Sequence, residues 1–389
     1  MKRLKVKAFN IIYGIICKLV PTDKRAIVFE SSTGNNWSGS PKAIYDEMVR
    51  MGLDKKYRCH IVMKSPEGTV LSGRGKLIKR KTISHLLTFA RCGIWVSDAR
   101  MPAYLIKKKG VHYIQTWHGT PLKKLALDME QLSMGGSSDL EAYKRRFVRN
   151  SSTWDYLVSQ NAYSTEIFRR CFAFDGRMLE TGYPRCDVLT RRNTPDEIAK
   201  IKKELSIPEG KKVLLYAPTW RDDEFYAKGS YKYESPLDFP RLRDALGDEW
   251  IVLVKFHYLV ADTVEVPELD GFVRNFSRHD DISLLYLVSD AMITDYSSVM
   301  FDYAILDRPM YFFCYDLEKY RDTLRGFYFD FESKAPGPIT RTTAELIDAI
   351  KTDGVDLFKE KRAAFRETFV ATEDGHASEK IISLIESFN

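Results

Sequence analysis

Hydrophobic positions along the chain fall into short runs rich in β-branched and aromatic residues, and helical patterns of apolar residues separate these runs. This alternation is typical of βα units built around a parallel sheet. The predicted strands are 25–31, CHIVMK, GIWVSD, HYIQTWH and 154–159 in the first half, and 212–220, 250–257, 272–277, 291–294 and 309–313 in the second. The pattern predicts an α/β protein of two doubly wound, Rossmann-like domains that face one another across a cleft.

A polar, charged stretch interrupted by prolines separates the two halves. Within the first domain, the turn 32–40 leads into a helix that Pro41 opens, and Ser40 is the expected N-cap. From Thr343 onward the chain is expected to be helical throughout. The predicted division is an N-terminal segment at 1–22, a Rossmann-like domain at 23–190, a linker with one surface helix at 191–210, a second Rossmann-like domain at 211–345 and C-terminal helices at 346–389.

The N-terminus combines basic residues with a largely apolar run over 8–20, and the basic positions are Lys2, Arg3, Lys5 and Lys7. This run is too short to span a bilayer, which takes about 20 residues. Pro21 and Thr22 follow it, where a signal peptide would have small residues for cleavage. The segment therefore predicts a basic amphipathic helix that lies on the inner membrane surface. The alternative is a core helix packed on the first domain.

Composition narrows the class of partner. The 389 residues are 44% hydrophobic and 13% aromatic, enough for two packed domains. The net charge of +7 suits phosphates, nucleotides or anionic lipid head groups. Nucleic acid is not expected, because base-stacking motifs, zinc fingers and long Arg-rich tracts are missing. Six scattered cysteines without a CxxC spacing argue against a zinc site and a disulfide framework, which favours a reducing compartment.

Chemically capable side chains stand where the predicted strands end. In open α/β sheets, ligands bind just beyond the carboxyl ends of the strands. The residues at these positions are His118 after HYIQTW, Arg221 after KVLLYAPTW, His257 after WIVLVKF, and Asp295, Tyr296, Ser297 and Ser298 after AMIT. The two histidines fall in opposed domains, so the cleft would bring them together.

The stretch ITDYSSVMFDY suggests a nucleotide site. Ser297 or Ser298 would cap a helix whose N-terminus favours a phosphate. Asp302 falls four residues after Ser298, on the same helical face, where its carboxylate would accept the hydroxyls of a ribose. The alternative is that Ser297 only caps the helix and Asp302 only balances the positive end of its dipole.

Two cations are candidate phosphate ligands. The guanidinium of Arg221 matches phosphate in bidentate fashion. Its alternative is a surface salt bridge with Asp222, Asp223 or Glu224. Lys255 lies two residues before His257 on the same side of its strand and would add positive charge, or would only extend an apolar stem along the surface.

His118 and His257 are the candidates for acid–base chemistry, because imidazole titrates near neutral pH and can take a proton from an attacking alcohol. The alternative is that each histidine is structural. The remaining histidines are interpreted as structural and are His60, His85, His112, His279 and His376. No acidic cluster has metal-ligand spacing, so no obligatory metal and no cofactor are expected.

Five stretches together resemble a known family: TWHGTPLKKL, LETGYPRCDVL, YAPTWRDDE, ITDYSSVMFDYAILDRPMYFF and RGFYFDF. They resemble the CDP-glycerol glycerophosphotransferases that build wall teichoic acid in Gram-positive bacteria, in collinear order from about Ala26 to Gly375. The resemblance implies a glycosyltransferase-B-like fold and a peripheral enzyme on the cytoplasmic face of the membrane. It also implies that the domain at 23–190 binds the acceptor and that the domain at 211–345 binds the CDP donor.

The resemblance also implies roles for individual residues. His118 matches a catalytic base and His257 a second essential histidine. Gly119 lets the backbone approach phosphate, Pro121 begins a helix, and Lys123 and Lys124 face either the anionic acceptor or solvent. The positions expected to bind substrate are Gly119, Thr120, Arg221, Lys255, Asp295, Ser297, Ser298 and Asp302.

The implied reaction moves glycerol phosphate from CDP-glycerol to a hydroxyl of a lipid-linked acceptor and releases CMP. The expected acceptor is a disaccharide on undecaprenyl diphosphate, with or without glycerol phosphate. The chain shows no counterpart of the extra N-terminal domain of long polymerases, which favours members that add one or a few units; assembly as a homo-oligomer is left open. The alternatives are a transferase for CDP-ribitol or a nucleotide sugar, and a non-catalytic scaffold at the membrane surface.

Overall fold

The computed structural model describes residues 2–131, 139–221, 225–227, 230–231, 235–257, 260–261, 264–321, 326–352 and 357–388. The chain forms two compact units. Unit 1 comprises Met1–His118, Arg145–Asp187 and Thr372–Asn389, and unit 2 comprises Gly119–Lys144 and Val188–Ala371. These units differ from the continuous domains expected from the sequence, because residues 119–144 pack in unit 2 and residues 372–389 return to unit 1.

The sheet of unit 1 has seven parallel strands in the order β3-β2-β1-β4-β5-β6-β7. The strands are β1 Asp23–Glu30, β2 Arg58–Met63, β3 Lys76–Lys79, β4 Cys92–Ser97, β5 His112–Gln115, β6 Tyr156–Ser159 and β7 Arg177–Glu180. Five of them were predicted. The sequence did not reveal β3 and β7, because these two edge strands are short, partly exposed and without a continuous apolar run.

The main sheet of unit 2 has six parallel strands in the order β12-β11-β8-β13-β14-β15, and β9 pairs with β10 separately. The strands are β8 Lys212–Tyr216, β9 Phe225–Ala227, β10 Ser230–Tyr231, β11 Trp250–Val254, β12 Val273–Asn275, β13 Ala291–Thr294, β14 Met310–Phe313 and β15 Ile339–Thr340. The five strands predicted for this half are confirmed, although β8 and β11 end earlier than expected.

The helices are α1 Lys2–Leu19, α2 Gly39–Arg50, α3 Ile83–Arg91, α4 Leu140–Ser151, α5 Ala162–Cys171, α6 Asp187–Arg191, α7 Pro195–Glu204, α8 Phe239–Leu246, α9 Ile282–Val288, α10 Val299–Tyr303, α11 Leu317–Lys319, α12 Phe331–Lys334, α13 Thr343–Thr352, α14 Lys359–Phe369 and α15 Ala377–Glu386. Ser38, not Ser40, occupies the N-cap position of α2, and its side chain makes no capping bond. Segment 121–125 is not helical, so the expected helix at Pro121 is wrong; only a short 3-10 turn follows, at Ala126–Asp128.

Each main sheet reverses its strand order at one point, between β1 and β4 in unit 1 and between β8 and β13 in unit 2. Neighbouring loops leave opposite faces of the sheet at such a point and open a crevice beyond the strand ends. A ligand-binding site is therefore expected at the loops that follow these four strands. They contain 31–40 and 98–100 in unit 1, and 217–221 and 295–298 in unit 2.

The six cysteines are all buried, and none forms a disulfide in this structure. Among the helices in the described part of the chain, none is long and apolar enough to cross a membrane. The expected N-terminal helix is confirmed as α1. Its residues Tyr13 and Cys17 are buried against the rest of unit 1.

Candidate functional site

His118 lies three residues beyond the end of β5, after a sharp change of chain direction at Trp117. Trp117 has φ of +52°, a left-handed conformation that is strained for a bulky residue. Its backbone N–H donates to Oε1 of Gln115 at 2.9 Å. Its ring is buried in an aromatic cluster, with centroids 4.6 to 6.4 Å from those of Phe147, Trp154, Phe168 and Phe172. This packing holds the strained backbone that presents His118.

The imidazole of His118 has a defined tautomer. Its Nδ1 lies 2.8 Å from the backbone carbonyl oxygen of Asp98, and a carbonyl can only accept a hydrogen bond. Nδ1 therefore carries the hydrogen, and Nε2 of the neutral ring is the basic nitrogen. The ring also stacks on Trp117, with centroids 4.4 Å apart. These contacts orient His118 as a general base.

The electrostatic surroundings keep His118 neutral. His118 keeps an exposed surface, but nearby protein atoms remove part of the hydration of its ring, and this loss lowers the pKa of the imidazole below its ordinary value. The hydrogen bond to Asp98 raises the pKa, while the charges of Arg185 and Arg100 lower it further. The net shift is downward, so the base form is available at neutral pH.

Two buried carboxyl groups lie at the ends of β1 and β4, those of Glu30 and Asp98, and they were not anticipated from the sequence. Glu30 ends β1 and pairs in register with Ser97, so Asp98 follows at the adjacent strand end. Oδ1 of Asp98 accepts the N–H of Ser32 at 2.7 Å, and a carboxylate oxygen of Glu30 lies 3.3 Å from Nε of Arg80. Burial raises the pKa of each carboxyl group to about 7. Acidic residues directly after apolar strands in FES and VSD were the signal that could have revealed them.

In unit 2, Arg221 occupies a position different from the one expected. Its side chain is fully buried, and its guanidinium makes two hydrogen bonds to Asp316, at 2.7 and 2.9 Å. It also donates to Asp295 at 2.9 Å and to the carbonyl of Thr219 at 2.6 Å. The expected direct contact of Arg221 with phosphate does not fit this geometry, since its donors point at protein oxygens. Asp295 is likewise an internal partner, which accepts from the N–H of Thr219 at 2.8 Å.

Three tyrosine rings surround the guanidinium of Arg221, with centroids 5.0 to 5.4 Å from its Cζ, and they are Tyr296, Tyr315 and Tyr320. Burial alone would lower the pKa of Arg221, but the carboxylates of Asp295 and Asp316 raise it. The group therefore stays charged and braces the loops after β8, β13 and β14. Asp316 was missed, although it also follows a strand end.

Ser297 and Ser298 precede α10, as predicted, but cap it only weakly. Ser298 is at the N-cap position without a side-chain capping bond, and Oγ of Ser297 is 3.5 Å from the N–H of Val299. Both serines are half-buried. Asp302 is buried on the next turn, with 7% of its surface accessible. The serine hydroxyls are therefore better placed for a ligand than the carboxylate of Asp302, whose contact with ribose stays a prediction.

The segment that follows His118 packs within unit 2. Gly119 lies against Ser298, where a Cβ on the glycine would come within 3.0 Å of the serine Oγ. Further along, the N–H of Lys124 donates to the carbonyl of Gly326 at 3.1 Å, and Lys123 forms a β-bridge with Phe327. Glycine at position 119 therefore allows the backbone to approach the side chain of Ser298 closely. The sequence had predicted a close approach to phosphate instead.

The two lysines of this segment have protein partners. Nζ of Lys123 lies 4.9 Å from the ring centroid of Tyr320, and Lys124 forms an ion pair with Glu130. Thr120 is buried. These contacts stabilise the segment that follows His118. The sequence had predicted that the two lysines face either the anionic acceptor or solvent, and it had not predicted these protein partners.

His257 lies three residues beyond β11, and its ring stacks on Trp220 with centroids 5.7 Å apart. Its carbonyl accepts the N–H groups of Val260 and Ala261, which begins a turn. Lys255 is directed elsewhere: its Nζ donates to the carbonyls of Ser277 and His279 at 2.9 and 2.5 Å. Lys255 therefore braces the loop after β12, and the expected contribution of its charge to substrate binding does not fit this geometry.

The described residues contain no cluster of three or more His, Cys, Asp or Glu side chains that could hold a metal ion. Unit 1 thus offers an oriented base, and unit 2 offers a serine-lined strand end stabilised by a buried ionic network. The first feature suits proton abstraction from a hydroxyl, and the second suits binding of an anionic ligand.

Comparison with known proteins identifies the family. Residues 12–387 match the family described as CDP-glycerol:poly(glycerophosphate) glycerophosphotransferase. The chain is 44% identical over 386 residues to the teichoic acid poly(glycerol phosphate) polymerase of Bacillus subtilis strain 168, covering 98% of this chain but only 51% of that protein. It is 41% identical to the teichoic acid glycerol-phosphate transferase of Staphylococcus aureus strain NCTC 8325, covering 99% and 98% of the two chains.

The structure of the wall teichoic acid polymerase TagF superposes with a TM-score of 0.90 at 42% identity, covering 99% of this chain and 95% of that one. The present chain spans about half the length of the Bacillus subtilis relative and nearly all of the Staphylococcus aureus one. The fold is α/β with two parallel sheets and is glycosyltransferase-B-like. This chain belongs to the CDP-glycerol:poly(glycerophosphate) glycerophosphotransferase family of teichoic acid biosynthesis.

Proposed function

We propose that this enzyme transfers glycerol phosphate from CDP-glycerol to a primary hydroxyl of a lipid-linked teichoic acid precursor and releases CMP. The observation that carries the proposal is the hydrogen bond from Nδ1 of His118 to the carbonyl of Asp98, because it leaves Nε2 as a fixed proton acceptor. Membership of the family supplies the donor and the class of reaction.

The proposed reaction proceeds by in-line displacement. The acceptor oxygen attacks the β-phosphorus of CDP-glycerol while its proton passes to Nε2 of His118, and the bond between this phosphorus and the oxygen of CMP breaks. A positioned general base typically contributes a factor of about 10² to 10⁴ in rate. The histidine is kept neutral by its surroundings, so this role requires no prior deprotonation at neutral pH.

Unit 2 is the proposed site of the nucleotide. The half-buried hydroxyls of Ser297 and Ser298 would donate to phosphate oxygens as charge moves onto CMP. His257 would contribute a second donor, since its ring is held against Trp220 close in sequence to Arg221. Arg221 is assigned a supporting role, because Asp295 and Asp316 already occupy its donors.

Peripheral attachment to the membrane is proposed from the exposed face of α1. This face carries large apolar side chains at helical spacing, and their exposed fractions are 65% for Ile11, 58% for Ile12, 51% for Ile15 and 76% for Leu19. Another face of the same helix packs on unit 1 through Tyr13 and Cys17, as the alternative drawn from the sequence expected, and these four residues stay accessible. An apolar stripe of this kind suits insertion into the interface of a bilayer.

The first test measures CMP release from CDP-glycerol with a lipid-linked disaccharide primer, with and without one glycerol phosphate attached. Mass spectrometry would count the units added. We expect release with at least one primer. Absence of release from folded protein that binds CDP, together with turnover of CDP-ribitol, would move the assignment to another donor. Vesicle binding without turnover of any donor would instead identify a scaffold.

A further inference from the structure

A buried amide lies three residues before the candidate base and has no part in the mechanism above. It belongs to Gln115, the last residue of β5, and none of the surface of this residue is accessible to solvent. A buried amide needs partners for its N–H groups and its oxygen, because an unpaired polar group in the interior costs free energy. The hydrogen bonds of Gln115 therefore indicate what this residue supports.

The side chain of Gln115 joins the segment before His118 to the loop after β4. Its Oε1 accepts the backbone N–H of Trp117 at 2.9 Å, and its Nε2 donates to the backbone carbonyl of Ala99 at 3.1 Å. These partners fix which end of the amide is the oxygen, since a backbone N–H can only donate and a carbonyl can only accept. Gln115 thus bridges the two segments whose relative position sets the hydrogen bond of His118.

One end of this bridge lies next to the peptide group between Asp98 and Ala99. The carbonyl of this peptide group accepts the hydrogen on Nδ1 of His118 at 2.8 Å, and its N–H donates to Oγ of Ser97 at 3.2 Å. Asp98 is also anchored by its carboxylate, which accepts the N–H of Ser32 at 2.7 Å. Because a peptide group is planar, contacts that hold its two ends also set the direction in which its carbonyl points.

The other end of the bridge holds a strained residue. Trp117 has φ of +52°, and its N–H is bonded to Gln115 in this conformation. Left-handed backbone is unfavourable for a bulky residue and persists only where surrounding contacts hold it. The aromatic cluster fixes the ring of Trp117, whereas Gln115 fixes its backbone. His118 follows directly, so a change of backbone conformation at Trp117 would move the imidazole.

We infer that Gln115 is a positioning residue for the transfer reaction, because its amide holds His118 in place against the carbonyl of Asp98. The inference rests on the proposed function, in which Nε2 of His118 takes the proton of the acceptor. Gln115 acts only through this base and touches neither the substrate nor the reacting atoms. Its contribution is to keep the hydrogen of the neutral imidazole on Nδ1 and the lone pair on Nε2. Misplacing a reacting group by about 1 Å can lower a rate by about a hundredfold.

Gln115→Met tests the inference, since methionine has a similar length but cannot donate to Ala99 and accepts only weakly from Trp117. We expect kcat for CMP release to fall by about tenfold or more, with little change in the KM for CDP-glycerol. Gln160→Met is the matched control. Gln160 is also fully buried and follows the next strand, β6, but its amide donates to Glu373 at 2.8 Å. Its kcat per folded molecule should be nearly unchanged.

A double-mutant cycle separates positioning of the base from a general loss of structure. If Gln115 acts only through His118, Gln115→Met should reduce the residual turnover of His118→Gln by less than about twofold. The same substitution in the presence of His118 should have its full effect. Equal losses in the two backgrounds would overturn the inference.

The tautomer of His118 gives a readout that does not depend on turnover. NMR of isotope-labelled histidine nitrogens, above neutral pH, should show the hydrogen of His118 on Nδ1 in the unaltered protein. The signals are assigned by their absence from His118→Gln. We expect a mixture of tautomers in Gln115→Met, and the unaltered tautomer in Gln160→Met.

The pH profile supplies a further comparison. Lost hydration lowers the pKa of His118, and its hydrogen bond to Asp98 opposes this effect. Weakening that bond in Gln115→Met should therefore lower the pKa further, so the acid limb of kcat/KM should move to lower pH in this variant but not in Gln160→Met.

The outcomes distinguish failure of this inference from failure of the proposed function. A normal kcat and an unchanged tautomer in Gln115→Met would overturn the inference while leaving the transfer reaction intact. Absence of CMP release from the unaltered enzyme would reject the proposed function, and the tautomer would still decide whether Gln115 positions the imidazole.

Discussion

The backbone carbonyl of Asp98 accepts the hydrogen on Nδ1 of His118 at 2.8 Å, and the carboxylate of the same residue accepts the N–H of Ser32 at 2.7 Å. One residue at the end of β4 therefore links the candidate base to the turn after β1. Each of these strand ends borders the point where the strand order of the sheet reverses. The position of His118 thus depends on contacts between loops that are distant in sequence.

Replacing His118 by Gln should abolish most of the activity. We expect kcat to fall by about 10² to 10⁴, because the acceptor hydroxyl loses its proton acceptor while the size of the side chain changes little. CMP release under saturating substrates measures the effect. His376→Gln is the control, since His376 is an exposed histidine at the start of α15. Near-normal turnover of folded His118→Gln would remove the histidine from the mechanism.

The pH profile of the unaltered enzyme should reflect the same residue. Because the surroundings of His118 lower its pKa, the base form persists to more acidic pH than for a free imidazole. The acid limb of kcat/KM should therefore have its midpoint below about 6.5, the ordinary value for histidine. An acid limb above that value would contradict the assignment of His118 as the titrating base.

Glu30 should make the protein less stable as the pH rises toward neutrality. Its pKa is raised from 4.5 to about 7 by burial, so between these values the folded protein binds more protons than the unfolded chain. The free energy of unfolding therefore falls with increasing pH in this window, by about 1.4 kcal/mol per pKa unit and about 3 kcal/mol at most.

Chemical denaturation at pH 5 and pH 8 tests this prediction. Glu30→Gln cannot titrate, so its stability should decrease less between the two pH values than that of the unaltered protein. Glu166→Gln, an exposed position on α5, should behave like the unaltered protein. Identical pH dependence in the protein with and without Glu30→Gln would show that Glu30 does not bind a proton in this range.

Arg221→Met should destabilise unit 2 strongly. The substitution leaves the carboxylates of Asp295 and Asp316 buried without their cation, and breaking a buried ion pair in this way costs about 3 to 5 kcal/mol. The free energy of unfolding by urea provides the measurement. Arg341→Met removes an exposed pair with Glu318 and should leave the free energy of unfolding nearly unchanged, because solvent screens such a pair. Equal effects of the two substitutions would argue against Arg221 as the brace of these loops.

Gly119→Ala should disturb the connection next to His118. The added Cβ would lie 3.0 Å from Oγ of Ser298, so the serine side chain must give by a few tenths of an ångström, and we expect a loss of stability of about 1 kcal/mol. We also expect kcat to fall by about tenfold, because His118 is the adjacent residue.

Ser298→Gly supplies the internal control for this contact, since it removes the atoms that the new methyl group would meet. The double variant should be more stable than the sum of the two single effects predicts. Strict additivity in denaturation measurements would show that the two residues do not constrain one another.

A charge on the exposed apolar face of α1 should weaken membrane binding. Ile15→Glu places a carboxylate in the stripe proposed to enter the bilayer, and we expect at least a tenfold loss of affinity for vesicles containing anionic lipid. Asn10→Glu adds the same charge at an exposed position off this stripe and should change binding much less. Vesicle sedimentation compares the two, and equal losses would mean that net charge rather than the apolar stripe controls attachment.

The sequence by itself determined the class of fold, since apolar runs at the spacing of buried strands located ten strands of the two main sheets correctly. It also placed His118, His257 and the two serines before α10 just beyond strand ends, where ligands bind in parallel sheets, and their functional roles stay predictions. Local patterns carry this information, and they depend only on which residues a strand buries and where it stops.

The partners and the burial of the charged residues near the candidate site were decided only by the tertiary structure. Arg221 and Lys255 have the chemistry of phosphate ligands, yet carboxylates enclose Arg221 and two carbonyls hold the amine of Lys255. Glu30 and Asp98 meet across neighbouring strands, although 67 residues separate them along the chain. Burial and partners of this kind come from long-range packing, which the spacing of residues in the sequence does not encode locally.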